Sequence, residues 1–107
     1  MKPIVDEVAK RLRDALNKNI SDFEGLYVFG SQVRGDANEE SDLDIVALFK
    51  RDLFQLPDEF YDILSQFSYD YFDIINLDVH PKTKSQLELN PFFYEEVVSK
   101  GVFYGTS

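Results

Sequence analysis

The segment from Gly30 to Asp44 carries two groups of residues that could together bind a phosphorylated ligand. Gly30 and Ser31 directly follow a short apolar run, where a strand would end. A glycine at such a bend lets backbone amides approach a phosphate closely, and the serine hydroxyl adds a hydrogen-bond donor. The second group, Ser-Asp-Leu-Asp at residues 41–44, opens another apolar run, and we include Ser41 among the candidate phosphate-binding residues.

The two aspartates of the second group, Asp42 and Asp44, alternate along a predicted strand. Their side chains therefore point to the same side, from backbone positions about 7 Å apart. Two adjacent carboxylates repel each other, and a divalent cation relieves that repulsion. Hard oxygen ligands favour Mg²⁺ or Mn²⁺ over zinc. A phosphate-binding bend beside such a metal site is what phosphoryl or nucleotidyl transfer requires.

Each part of this pattern also has a simpler interpretation. A Gly-Ser pair after a strand is often only a turn, and an alternating Asp-x-Asp is often the solvated face of a strand. Residues 36–44 also alternate oxygen ligands in the manner of a calcium-binding loop. The sixth position of that loop would be Ser41 instead of glycine, and the twelfth would be Ala47 instead of glutamate. Taken singly, the motifs leave these alternatives open.

The composition limits the classes of function. The chain has 107 residues, 44% of them hydrophobic, and it has no cysteine, which excludes disulfides, zinc–thiolate sites and thiol nucleophiles. Twenty acidic residues against eleven lysines and arginines give a net charge of −9. Nonspecific nucleic-acid binding needs cations that displace counterions, so we do not expect it. No apolar run approaches the ~20 residues that span a bilayer, and we see no signal-peptide core, so we expect a cytoplasmic protein without membrane contact.

Hydrophobic periodicity predicts the elements that must position these groups. Ile4, Val8 and Leu12 recur at i+4 steps and predict an amphipathic helix over residues 3–18. The other predicted elements are strands at 26–29, 42–49 and 72–79, the last ended by His80-Pro81, a helix that begins at Pro57, a capping box of Thr83 with Gln86, a helix from Asn90 to Gly101 and a short strand at 102–104.

The order of these elements predicts a small mixed β-sheet with helices packed against it, an α/β (α+β) fold. The join between the first two strands is short, so we expect them to be antiparallel. A helix connects the second and third strands, which is typical of a parallel, right-handed crossover. In the second strand, Leu43, Ile45 and Ala47 share one face. We expect a single domain over residues 1–107.

Residues 30–48, GSQVRGDANEESDLDIVAL, resemble the signature of the DNA polymerase beta-like nucleotidyltransferase superfamily. With Arg34-Gly35 inside the spacer, the chain is most similar to the minimal nucleotidyltransferases, which include antitoxins encoded beside HEPN-type toxins. The resemblance extends, in element order, over essentially the whole chain. It implies the nucleotidyltransferase core fold, with the Gly-Ser pair holding a triphosphate. It also implies that Asp42 and Asp44 ligate two Mg²⁺ or Mn²⁺ ions with bound nucleotide.

The family pattern needs a third carboxylate on a neighbouring strand, which joins the metal site and accepts the proton of the incoming hydroxyl. Asp73 and Asp78 are the candidates. Asp73 would begin the third strand at the end where Asp42 and Asp44 open the second, whereas Asp78 would lie about 16 Å further along. Apolar residues also follow Asp73 on its face, as they do behind the first two acids. We therefore expect Asp73 to complete the set, with Asp78 as the alternative.

Two further residues of this region are ambiguous. Arg34 has a planar fork of donors that suits a phosphate, and it could equally pair with Asp36 or Glu39 on the surface. His80 is the only histidine and precedes Pro81. We interpret it as a residue at the end of a strand and not as a catalytic base.

The resemblance implies an enzyme that transfers a nucleoside monophosphate, with ATP the expected donor, to a hydroxyl of a partner protein or other acceptor. It would be the antitoxin of a HEPN toxin pair. Larger relatives hold the acceptor with a second domain, so we expect another polypeptide here, either a HEPN-type helical protein or a second copy of the chain. The alternative is a non-catalytic module that neutralises or scaffolds a partner. Aromatic residues at 92–94 would then form an exposed patch.

Overall fold

A computed structural model describes residues 1–51 and 56–106. Among these residues, no helix is both long and apolar enough to cross a membrane. The elements are α1 (Pro3–Asn19), β1 (Phe23–Phe29), α2 (Ser31–Arg34), β2 (Leu43–Phe49), α3 (Asp58–Asp70), β3 (Leu77–Thr83), α4 (Lys84–Glu88), α5 (Pro91–Tyr94), a π-helical turn (Glu95–Ser99) and β4 (Val102–Gly105).

The four strands form one mixed sheet in the order β3-β2-β1-β4. β1 is antiparallel to both β2 and β4, whereas β2 and β3 are parallel. The parallel pair is joined through α3, which supplies the long crossover that parallel strands require. The predicted mixed sheet and the predicted directions of its first three strands are therefore confirmed.

Both faces of the sheet are covered. On one face α1 and α3 pack against the strands, and the alternation of β2 places Leu43, Ile45 and Ala47 in that core, as predicted. On the other face Val46 of β2 packs against Leu87 of α4 and residues of the C-terminal helical segment. The side chain of Asp44 points to this second face, because side chains two positions apart in a strand lie on the same side.

The third strand differs from its predicted bounds of 72–79. The backbone amides of Ile74 and Ile75 both donate to the carbonyl of Tyr71 at 2.9 Å, so this apolar run forms a turn after α3. The strand then begins at Leu77 and passes through Pro81. Proline lacks the N–H of a ladder bond, but β3 is an edge strand and can present that position to solvent.

Two local predictions at the element ends can also be compared with the structure. Thr83 caps α4 as predicted, because its hydroxyl accepts from the Gln86 amide at 3.2 Å and its own amide donates to the Gln86 side chain at 2.9 Å. The predicted helix over 3–18 and the predicted strand at 26–29 left a longer loop between them than the structure has. α1 continues to Asn19 and β1 already begins at Phe23, so the loop is shorter than its polar composition suggested.

Candidate active site

The register of the sheet brings one end of three strands together. Asp44, near the start of β2, lies opposite Phe29 at the end of β1. On its other side Asp44 lies opposite Asp78, the second residue of β3. Gly30 follows Phe29 directly. The bend after β1 and two of the candidate acids therefore meet at the same edge of the sheet.

Gly30 is in direct contact with the carboxylate of Asp44. Its φ of +80° and ψ of −152° lie in a region that only glycine adopts readily. A Cβ atom built at Gly30 would collide with Oδ2 of Asp44. The bend also begins α2 at Ser31, and the first amides of a helix have no carbonyl partner within it. The amides of Val33 and Arg34 donate to the Gly30 carbonyl at 3.1 and 3.0 Å, which holds the bend against the start of α2. The bend and the Asp44 carboxylate are therefore neighbours, and the role of the bend in phosphate binding stays a prediction.

Asp44 carries a negative charge that its surroundings do not neutralise. Partial burial raises the pKa of its carboxyl, and the negative charges of Asp78 and Asp42 raise it further. Coulombic interactions with His80 and Arg34 lower the pKa of Asp44, but they do not outweigh these effects. A divalent cation bound beside Asp44 would remove this penalty, so the electrostatics of the site fit a metal ion.

Asp42 is positioned by the chain just before β3. Its carboxylate accepts a hydrogen bond from the Asn76 side chain at 3.1 Å. The backbone carbonyl of Asn76 accepts from the Leu43 amide at 2.8 Å, which extends the β2–β3 pairing by one bond. Asp42 is thus held at the same sheet edge as Asp44, on an exposed position beside it.

The two candidates for the third carboxylate are well separated. Asp73 lies in the turn after α3, and our prediction that it begins the third strand is wrong. It lines a cleft of about 330 Å³ together with Gln32 and Ser41, and among the described residues Asp44 is not part of that lining. Asp78, the alternative, is the residue that the register places beside Asp44. The structure therefore brings Asp78, and not Asp73, beside Asp44.

A histidine joins this group. One ligand atom each of Asp44, Asp78 and His80 lie within 4.8 Å of one another. His80 is two residues after Asp78 on β3, so both side chains leave the same face of the sheet. The predicted placement of His80 at a strand end is wrong, because β3 continues to Thr83. Two carboxylates and an imidazole are a donor set that divalent cations such as Mn²⁺ accept.

Arg34 is held by acids on both of its sides. Its Nη1 atom pairs with Glu96 of the π-helical turn, and its Nε atom lies 3.4 Å from Asp36. The hydrogen bond to Glu96, followed by the one to Asp36, raises the pKa of the guanidinium. Of the two surface partners considered from the sequence, Asp36 is found. Glu96, which is 62 residues away in the chain, was not predicted.

Ser41 organises the loop between α2 and β2. Its hydroxyl accepts from the Asn38 amide at 3.0 Å, and its carbonyl accepts from the Gln32 side chain at 3.2 Å. Gln32 is only 4% exposed, so this bond fixes the loop to α2 from the inside. The calcium-loop interpretation gains no support here. Among the residues that the structure describes, the group close enough to hold an ion contains no ligand from residues 36–40.

A family model of the nucleotidyltransferase domain matches residues 9–104. This chain belongs to the nucleotidyltransferase domain family. The resemblance inferred from residues 30–48 is thereby confirmed, together with the expectation that the protein is an enzyme of this class. No curated protein sequence matches the chain.

Solved structures show the same fold at low sequence identity. A protein from Sulfolobus solfataricus assigned as a nucleotidyltransferase is 21% identical, with a TM-score of 0.60 over 92% of this chain and 77% of its own. The complex of an MNT antitoxin with the tri-AMPylated HEPN toxin of Shewanella oneidensis is also similar. It shows 19% identity and a TM-score of 0.59 over 95% of this chain and 73% of its own. A toxin–antitoxin structure with AMP-PNP shows 23% identity and a TM-score of 0.59 over 88% of this chain and 70% of its own. At these identities the similarity supports the nucleotidyltransferase fold alone.

In this nucleotidyltransferase, the sequence pattern identified the bend and the first two acids but missed three supporting residues. Two of them lie outside residues 30–48, and the third lies within that segment but is buried. The three are Asn76 beside Asp42, Glu96 beside Arg34, and Gln32 beneath the loop. Only Gln32, a polar residue between Ser31 and Val33 at the motif's own helix, gave a local signal that could have been used.

Proposed function

We propose that this nucleotidyltransferase transfers a nucleoside monophosphate from a triphosphate, with ATP the expected donor, to a hydroxyl group of a partner protein. The transfer would depend on Mg²⁺ or Mn²⁺, bound as two ions with the nucleotide. The observation that carries the proposal is the register of the sheet, which sets Asp44 beside both Asp78 and the Gly30 bend. The acids and the phosphate-binding bend must be adjacent for one ligand to contact both metal ions and phosphate donors.

The residues of the chain have separate tasks in this proposal. The first amides of α2 and the Ser31 hydroxyl bind the triphosphate, because a bend of this kind presents several donors to one anion. Asp42, Asp44 and Asp78 hold the metal ions. When bound, these ions would neutralise the triphosphate and stabilise the charge that develops during transfer.

The reaction itself is a substitution at the α-phosphorus. The oxygen of the acceptor hydroxyl forms a bond to the α-phosphorus, and the bond from that phosphorus to the oxygen bridging to the β-phosphate breaks. Pyrophosphate leaves with the bonding electron pair. The acceptor proton passes to a carboxylate oxygen of the site, and we assign this role to Asp78, the acid contributed by β3.

Charge makes a protein acceptor more plausible than free nucleic acid. The net charge of −9 opposes the approach of a polyanion. In the related antitoxin complex, the toxin carries three AMP groups, so a protein of this fold occurs together with a nucleotidylated protein partner. We therefore propose a HEPN-type helical protein as the partner, with its modified hydroxyl presented at the Asp44 edge of the sheet. A second copy of the chain is the other candidate.

The test is an intact-mass measurement of the candidate partner after incubation with the nucleotidyltransferase, Mg²⁺ and each of the four nucleoside triphosphates. We expect the mass of one or more nucleoside monophosphate groups to appear with ATP. Asp44→Asn should abolish the addition, because it removes a ligand from the centre of the site. Asp73→Asn is the matched control and should retain it, because Asp73 is exposed and lies in the separate cleft. An unchanged mass with wild-type protein and all four nucleotides would contradict the proposal.

A second function, masking of a partner without chemistry, is favoured by one observation. Phe92 is 89% exposed and Leu89 is 83% exposed, beside a shallow depression lined by Pro91 and Tyr94. Large apolar side chains at this exposure are typical of protein contact sites. If masking is the function, Phe92→Ala should abolish neutralisation of the partner and Asp44→Asn should preserve it. Loss of neutralisation in Asp44→Asn, with the complex intact, would exclude masking as the sole function.

A further inference from the structure

His80 lies beside two acids of the site, Asp44 and Asp78. Its Nε2 atom lies 3.2 Å from Oδ2 of Asp78. Its ring centroid lies 6.3 Å from that of Phe29, the residue that precedes the Gly30 bend. In the pairing of β2 with β3, His80 lies opposite Val46, two residues further along the strands than the Asp44–Asp78 pair. The imidazole therefore lies on the same face of the sheet as the two acids and near the Phe29 ring.

We propose that His80 is a ligand of the metal ion through Nε2, so that the ion is bound by Asp44, Asp78 and an imidazole. This inference rests on the metal dependence proposed above and specifies its donor set. The ligand atoms of the three residues lie within 4.8 Å of one another. Two atoms that bind one such ion at about 2.1 Å each are at most about 4.2 Å apart. The group is therefore already close to the spacing that a shared ion imposes.

The alternative role for His80 is to orient Asp78 without touching the ion. In that role Nε2 would carry a proton and donate it to the Asp78 carboxylate. As a ligand, Nε2 would instead direct its lone pair at the ion, and Nδ1 would carry the proton. The two roles require different chemical states of the same atom, so a measurement that detects nitrogen bound to a metal separates them.

An imidazole changes which ion the site prefers. Magnesium is a hard cation that takes oxygen ligands, whereas manganese also accepts nitrogen and stands on the transition-metal affinity series. A donor set with His80 should therefore bind Mn²⁺ more tightly than Mg²⁺. Loss of an outer-shell partner of a metal ligand costs about 10- to 100-fold in affinity, and loss of a direct ligand should cost at least as much.

The test uses Mn²⁺ alone, without nucleotide, and the full chain without a histidine tag. Because His80 is the only histidine, a directly bound imidazole nitrogen detected by electron spin-echo envelope modulation can come from no other residue. We expect this ¹⁴N signal in the wild type and its loss in His80→Gln. Titration calorimetry should show at least about tenfold weaker Mn²⁺ binding in that variant. Asp73→Asn is the control and should keep both the signal and the affinity.

Bound Mn²⁺ without the nitrogen signal would overturn the inference, and so would the absence of Mn²⁺ binding. In either case, Mg²⁺-dependent transfer to a partner would leave the proposed function standing. Conversely, a nitrogen signal in a protein that modifies no partner would support the ligand and count against the function. His80 is partly exposed, so His80→Gln should fold normally, and its circular dichroism spectrum and thermal melting should match the wild type.

Discussion

Replacing Gly30 by alanine has two separate effects: it strains the backbone of the bend, and it adds a Cβ atom beside the Asp44 carboxylate. Gly30 has φ +80° and ψ −152°, and an alanine in this region costs about 1–3 kcal/mol. A small domain has about 5–15 kcal/mol of stability, so the variant should still fold. The added Cβ, however, would collide with the Asp44 Oδ2 atom. The carboxylate must move aside, and a misplacement of about 1 Å in an active site costs about 100-fold in rate.

Gly35 provides a matched control at the other end of α2. Its φ of +87° and ψ of +7° are left-handed, so alanine there costs about 1–2 kcal/mol. Among the described residues, no heavy atom beyond the chain neighbours lies within 4 Å of a Cβ built at Gly35. Gly35→Ala therefore carries a similar backbone penalty without a collision. The difference in activity between the two variants measures the displacement of Asp44 alone.

The assay combines urea unfolding with transfer rates and Mn²⁺ affinity for both variants. We expect each variant to lose about 1–3 kcal/mol of unfolding free energy. Gly35→Ala should transfer at nearly the wild-type rate, whereas Gly30→Ala should lose about two orders of magnitude in rate and bind Mn²⁺ more weakly. Equal losses of activity in the two variants would refute the claim that the Gly30 contact positions Asp44.

Three further changes have defined outcomes. Glu96→Gln removes the negative charge that pairs with Arg34, so the guanidinium becomes free to bind phosphate. Steady-state kinetics should show a lower KM for the triphosphate with kcat little changed, and an unchanged KM would contradict this role. Tyr104 donates a hydrogen bond to Asp6 at 2.9 Å, and burial, followed by that bond, raises the pKa of Tyr104 to about 12. Its folded pKa exceeds the ordinary value of 10.0, so its contribution to stability is complete below pH 10 and is lost as the pH rises towards 12; urea unfolding against pH should show a smaller loss in Tyr104→Phe than in the wild type, and an equal loss would contradict this contribution. Thr83→Ala removes the capping box of α4 and should cost about 1 kcal/mol in urea unfolding, and a change below a few tenths would show that the cap does not stabilise the fold.

Local patterns in the sequence were sufficient wherever one segment determines its own structure. The i+4 periodicity of α1 and the alternation of β2 are confirmed because a helix and a strand each impose one period on their buried residues. The motif at 30–48 is of the same kind. The bend, the spacer and the Asp-x-Asp are close in the chain, so the family and the Gly30–Asp44 neighbourhood followed from the residues themselves.

The tertiary structure alone decided which residues meet this motif from elsewhere. A run such as 72–75 can be a strand or the turn after a helix, and here it is the turn after α3, with Ile75 packed against the core while Phe72 and Ile74 are exposed. The parallel pairing of Leu43 with Leu77 then placed Asp78, and with it His80, beside Asp44. Register depends on how two strands bury their apolar faces together, and that is a property of the packed sheet and not of either strand.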